Sequence, residues 1–267
     1  MKKTAFFGIL VGVMASGAAF GETAFEGQPV GSIPLQVKKQ AMVAVAFNEL
    51  SAEDNQSVSV SNILSTANLA NGDQVYVYRN NSFQSWTFNG TYWIENTQNF
   101  KTTGENNQTS TPGKKSDEIR PNIGEGFWLI RAGNPPSPSE VTVYIYGHAI
   151  STAQEQTAEA GTKTLIGNPL MTDATPTFTT PNKGDRVTFA YQPDGASTAD
   201  VLVKEYTYAI DDNGNLNWGH WSKITKDSPI PTFIVENVTI PAGLSFWYNS
   251  TGSSSVTVRW PSATSGE

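Results

Sequence analysis

The stretch Ile123-Gly124-Glu125-Gly126-Phe127-Trp128-Leu129-Ile130 returns in outline as Pro241-Ala242-Gly243-Leu244-Ser245-Phe246-Trp247-Tyr248. Each copy sets a glycine-bearing turn before an adjacent aromatic pair. Each is followed, after a polar gap, by a β-branched run, Val141-Thr142-Val143 and Val256-Thr257-Val258. Aromatic and β-branched side chains suit a pleated, half-buried surface, so both copies predict strands. Other signals recur in the same order around them. Asn71-Gly72-Asp73-Gln74-Val75 is matched by Lys183-Gly184-Asp185-Arg186-Val187, and residues 42–50 are matched by 164–171, where Gly167-Asn168-Pro169 interrupts the second strand. The separations between matched positions differ, which places the length differences in loops, where a β framework tolerates them.

Between these markers the chain reads as a meander. Strands are predicted at 75–78, 83–88 and 91–94, joined by Arg79-Asn80-Asn81-Ser82 and by Asn89-Gly90, turn chemistry that closes hairpins. A second hairpin is predicted for 201–210 and 217–221 around Asp211-Asp212-Asn213-Gly214-Asn215. The Ala- and Val-rich run at 41–47 predicts a strand covered on both faces, and 61–69 predicts one short helical turn capped by Ser61. Residues 95–117 are polar and predict a long loop, and 151–160 a short helix or linker. The expectation is an all-β protein of two tandem, related antiparallel modules, each a small barrel or sandwich, spanning 22–146 and 147–267. The repeated Phe-Trp pairs are expected to fill the two interiors.

Composition bounds what such a chain can do. Residues 1–21 carry Lys2 and Lys3, an apolar run from Ala5 to Ala15, and small residues up to Gly21. This is the layout of a cleaved secretory signal peptide, and the run is shorter than the roughly 20 residues of a membrane-spanning helix. The expectation is therefore extracytoplasmic: secreted, at the cell surface or periplasmic, with no membrane span after cleavage. The chain holds 17 Lys and Arg against 24 Asp and Glu, a formal net charge of −7, and loss of the leader lysines makes it more acidic. Without a basic stripe to release counterions, nucleic acid is not an expected partner. There are 0 cysteines, although an exported chain is free to form disulfides, so stability must rest on buried apolar area.

The opening Pro29-Val30-Gly31-Ser32-Ile33, the Gly167-Asn168-Pro169-Leu170 segment, the paired Gly-Asp turns and the paired Gly-x-x-Phe-Trp turns resemble a family of uncharacterised exported repeat proteins from verrucomicrobial-type bacteria. The resemblance covers nearly all of the chain beyond the leader. It implies export and a duplicated β fold, and carries over no catalytic residue.

Chemistry-bearing constellations are sparse. The 7 tryptophans and 9 tyrosines include several beside turns. Trp86, Trp93, Trp218 and Trp221 are the candidate ligand-binding residues, because an aromatic ring covers the apolar face of a pyranose while Asn and Asp bind its hydroxyls. The competing reading places the same rings in cross-strand core pairs. Asp211-Asp212-Asn213-Gly214-Asn215 alternates oxygen ligands but lacks the glycine and the twelfth-position glutamate of a calcium loop, where Ser222 stands, so a hairpin turn explains it more simply. His148 and His220 are the only histidines, with no zinc-ligand spacing around either and no Gly-x-Ser-x-Gly elbow for a hydrolase. Glu125 is a poor glycosidase carboxylate, since Leu244 stands at its repeat counterpart. Neither Gly124-Glu125-Gly126 nor Gly167-Asn168-Pro169 leads into a phosphate-binding helix. Most predicted strands are shorter than the roughly 9–11 residues of a transmembrane β-strand. No metal, cofactor or catalytic residue is predicted. The expected function is a non-enzymatic structural or interaction protein, with a glycan or a surface protein as partner. The alternative is a carbohydrate-binding or adhesin-like module using exposed aromatics.

Overall fold

A computed structural model describes residues 30–38, 40–44, 64, 67–79, 82–96, 124–133, 140–148, 153–191, 202–225 and 227–262. The predicted leader, the predicted polar loop beyond residue 96 and most of the predicted helical turn at 61–69 lie outside the described residues. Among the described residues the protein is all strand, with no helix. A first set comprises β1 (Val30–Val37), β2 (Gln40–Ala44), β3 (Gln74–Arg79), β4 (Ser82–Phe88), β5 (Trp93–Glu95), β6 (Gly126–Ile130) and β7 (Val141–His148). A second comprises β8 (Gln154–Ala158), β9 (Lys163–Gly167), β10 (Thr177–Thr179), β11 (Arg186–Tyr191), β12 (Leu202–Ile210), β13 (Leu216–Trp221), β14 (Phe233–Val235), β15 (Ser245–Asn249) and β16 (Val256–Trp260).

In the first set a five-stranded sheet, β2-β6-β3-β4-β5, lies over the pair β1-β7; in the second a six-stranded sheet, β9-β15-β11-β12-β13-β14, lies over β8-β16-β10. Every pairing is antiparallel. Neither large sheet closes on itself, so the architecture is sandwich-like and the barrel alternative is not realised. β7 runs on to His148, which puts the expected division after residue 146 inside a strand.

The two sets run parallel in register. Trp128 is paired with Met42 on one side and Tyr76 on the other, and Trp247 with Leu165 and Thr188. Met42 therefore corresponds to Leu165, one residue beyond the match read from the sequence. In a strand a one-residue shift exchanges the faces. The segment 151–160, predicted as a helix or linker, contains β8, which pairs along its length with β16 as β1 pairs with β7. Leu64, inside the predicted helical turn, forms an isolated bridge to Ile145.

Side chains alternate between faces with period two, and this decides which residues make the cores. Val75, Val77, Trp86, Phe88, Trp93, Phe127 and Leu129 pack on Ile33, Val143 and Ile145. In the second set Val187, Phe189, Tyr206, Phe246 and Tyr248 pack on Ala158, Val256, Val258 and Trp260. Complete burial of a side chain such as Phe127 or Phe246 stabilises by about 1.5–3 kcal/mol. The neighbouring tryptophans correct the sequence expectation. Trp128 and Trp247 are half-buried and point to the opposite face of their sheets, so only the Phe of each pair fills an interior.

That opposite face is where the two sets meet. Trp128, Tyr78 and Leu35 of the first set pack against the core of the second, and Glu125 bridges Ile166. Gly126 and Ser245, at matched positions opening β6 and β15, touch each other; a methyl on Gly126 would run into Cβ and Oγ of Ser245.

Candidate functional site

The outer face of β3-β4-β5 gathers side chains that the first core does not use. Where the inner face takes Val75, Val77, Trp86 and Phe88, alternation sends Gln74, Tyr76 and Tyr78 outward from β3, and Phe83, Ser85 and Thr87 outward from β4. Asn96, just past β5, reaches the same face by donating its backbone N–H to the Ser85 carbonyl at 2.8 Å. The result is an aromatic band running into a polar one.

Tyr78 and Phe83 are cross-strand partners with ring centroids 4.9 Å apart, and Tyr76 meets Phe83 edge-on at 6.3 Å. Trp247 of the second set stands as a wall, its plane at 79° to Tyr78 and 81° to Phe83, with centroids 5.0 and 6.2 Å away. Phe83 nevertheless remains 49% exposed. Beside it the polar groups form a chain. Tyr76 Oη donates to Gln74 Oε1 at 2.8 Å, Gln74 Nε2 to Thr87 Oγ1 at 3.4 Å, Thr87 Oγ1 to Asn96 Oδ1 at 3.0 Å, and Asn96 Nδ2 to Ser85 Oγ at 3.1 Å. Each amide nitrogen has two donors and each amide oxygen two lone pairs, so both Gln74 and Asn96 keep unused capacity after these bonds.

The four tryptophans singled out from the sequence are not brought together. Trp86 and Trp93 are 4% and 0% exposed and belong to the first core. Trp218 is half-buried against Phe178 and Tyr208. Trp221 alone is exposed, over Phe233 with centroids 5.1 Å apart. Trp218 and Trp221 lie an odd number of residues apart on β13 and so face opposite sides of the sheet. Tyr76, Phe83 and the amide–hydroxyl chain were missed. The signal was the parity of β3 and β4: Trp86 shares its phase with Phe88, while Phe83 shares its phase with Ser85 and Thr87.

Three other polar groupings are structural. Asp211 Oδ1 accepts the N–H groups of Asn213 and Asn215, and its Oδ2 accepts from Asn217, which supports the turn reading over a cation loop. Glu236 lies 2.7 Å from Lys204 Nζ and 2.9 Å from His220 Nδ1. Burial would raise the Glu236 pKa, but Lys204 and His220 together outweigh it and hold the carboxyl below its ordinary value. Burial would likewise lower the Lys204 ammonium, but Glu236 and Tyr206 carry it upward. A general acid or base needs a pKa near the working pH, and both shifts lead away from it.

The third grouping is the pair of matched Gly-Asp turns, where Gly72 and Gly184 adopt φ of +98° and +94°, a conformation that disfavours any residue with a Cβ. The aspartates that follow, Asp73 and Asp185, are fully buried. Asp73 accepts from the N–H groups of Ala70 and Ala132 and from Arg131 Nε at 3.1 Å. Asp185 accepts from the N–H groups of Asn182 and Thr251, from Thr251 Oγ1 and from Tyr248 Oη at 2.6 Å. Burial would raise the Asp185 pKa, but these four bonds outweigh it and hold the carboxyl below its ordinary value, while burial and the Asp185 contact push the Tyr248 hydroxyl strongly upward. Searches against protein-family models, curated protein sequences and solved structures return no match to this chain.

Proposed function

We propose that this chain is a non-enzymatic interaction protein that works outside the cytoplasm, at the cell surface or in the periplasm, and meets its partner on the outer face of β3-β4-β5. The observation that carries this reading is Phe83: a ring 49% exposed within a cluster of Tyr76, Tyr78 and Trp247, beside a chain of uncharged hydrogen-bonding groups. Exposed aromatic surface rimmed by polar groups is characteristic of binding faces. The pKa shifts of Asp185, Lys204, Glu236 and Tyr248 all lead away from neutrality, which favours structure over acid–base chemistry at these groups. The matched strand orders and registers support an origin by duplication, in keeping with the exported repeat family that the chain resembles. The leader at residues 1–21 supports export.

Two measurements test this. Expressed with its leader, the protein should appear outside the cytoplasm with Glu22 as its first residue. Wild-type protein should bind cell-envelope preparations in a sedimentation assay, and Phe83→Ala should lower the bound fraction while keeping the wild-type melting temperature within a few degrees. Cytoplasmic retention of the uncleaved chain would remove the localisation, and equal sedimentation of the two proteins would remove the face.

A further inference from the structure

We infer that the β3-β4-β5 face takes an uncharged oligosaccharide, with a pyranose seated on Phe83 and its hydroxyls exchanged into the Gln74–Thr87–Asn96–Ser85 chain; this rests on the interaction reading above. The groups that point out of the sheet divide by chemistry. On one side stand rings, with Phe83 presenting open surface and Trp247 nearly perpendicular to it at 6.2 Å. This corner is formed where the two strand sets meet, a usual place for ligand sites. The C–H face of a pyranose matches such a ring, since it is apolar and rigid and loses little freedom on stacking.

On the other side stand two primary amides and three hydroxyls, with no charged group among them. A planar amide offers a donor and an acceptor side by side, the arrangement that meets a vicinal diol. After their internal bonds, Asn96 and Gln74 each keep one N–H and one lone pair, while the Ser85 O–H has no acceptor to itself within the chain. None of these atoms is buried without a partner, so the empty face carries no desolvated orphan. When a sugar arrives, its hydroxyls replace or join these bonds without a charge being buried. A uronate or sulfated glycan would need a cation at this position, and the five groups of the chain supply none.

The test uses the full exported chain in isothermal titration against cellohexaose, laminarihexaose, mannohexaose and xylohexaose, with polygalacturonate as the anionic counterpart. At least one neutral hexasaccharide should bind with an affinity unchanged between 50 and 500 mM salt. Phe83→Ala should weaken it about tenfold, equivalent to about 1.4 kcal/mol, and Asn96→Ala a few-fold. Trp221→Ala, on the far part of the second sheet, should leave it unaltered. Binding that is lost in Trp221→Ala and kept in Phe83→Ala overturns the site, and salt-sensitive binding of polygalacturonate alone overturns the ligand class. If no oligosaccharide binds while the envelope sedimentation still depends on Phe83, the glycan assignment falls and the interaction reading stands. If Phe83→Ala matches wild type against both envelope and sugars, both fall.

Discussion

Asp73 and Asp185 hold the same place in the two strand sets, and the chain stabilises them in different ways. Each follows a left-handed glycine, each is fully buried, and each ties its turn to the residue two past the strand of the aromatic pair, Ala132 after β6 and Thr251 after β15. Around Asp73 the negative charge is met by a buried cation, Arg131, whose Nη1 also reaches the Val37 carbonyl. Around Asp185 the matched position is Ser250, and neutral donors do the work: two backbone N–H groups and the hydroxyls of Thr251 and Tyr248. What persists between the sets is the geometric task of pinning a turn against a strand end. The means of neutralising the carboxylate is free to vary, because either a cation or enough oriented dipoles satisfies a buried charge.

Four substitutions and a pH series bear on that difference. Arg131→Met should have the largest effect, about 3–5 kcal/mol in urea unfolding, because it leaves the Asp73 carboxylate buried without its cation. At the matched position Ser250→Ala should be nearly neutral, since the Ser250 hydroxyl is buried with no partner; similar costs for the two would erase the distinction. Tyr248→Phe should come next, at about 1.5–3 kcal/mol for one hydrogen bond to a charged acceptor.

The acid limb of stability reports on the same site. The Asp185 pKa is lowered on folding from an ordinary value of 3.8, so its contribution is present above about pH 4 and is lost as pH falls through the folded value. Asp185→Asn should flatten the decline of stability below pH 4, and Tyr248→Phe should shrink it, because losing that hydrogen bond brings the folded pKa back toward the ordinary value. An acid limb identical in wild type and Asp185→Asn would show that the neutral donors do not hold the charge.

At the contact between the sets, Gly126→Ala should cost about 1–3 kcal/mol by overpacking against Ser245. Ser245→Gly in the same protein should recover much of it, a coupling expected only where two residues touch. Phe83→Ala should likewise have little effect on stability, under about 1 kcal/mol, because the ring is half in solvent and fills no interior. A larger loss would mean that Phe83 holds the sheet together, and its exposure would no longer point to a partner.

The sequence alone determined the local vocabulary of this protein. Alternation in residues 75–78 and 83–88, the glycine–aspartate turns, the hairpin at Asp211 and the paired Phe-Trp strands are encoded within a few residues of one another, and backbone sterics and side-chain period translate them directly. Period two yields two faces for every strand but does not say which face another layer will cover. That was decided by contacts between distant residues. Trp86 and Trp93 went inward because β1 and β7 close over that side of the sheet, and Trp128 and Trp247 went to the junction because the two large sheets meet there. Asp73 found Arg131, and Asp185 found Thr251, across 58 and 66 residues of chain. The polar–aromatic face of Gln74, Tyr76, Phe83, Ser85, Thr87 and Asn96 exists for the same reason: among the described residues it is the side of the meander that β1 and β7 do not cover and that the second set meets only at Trp247.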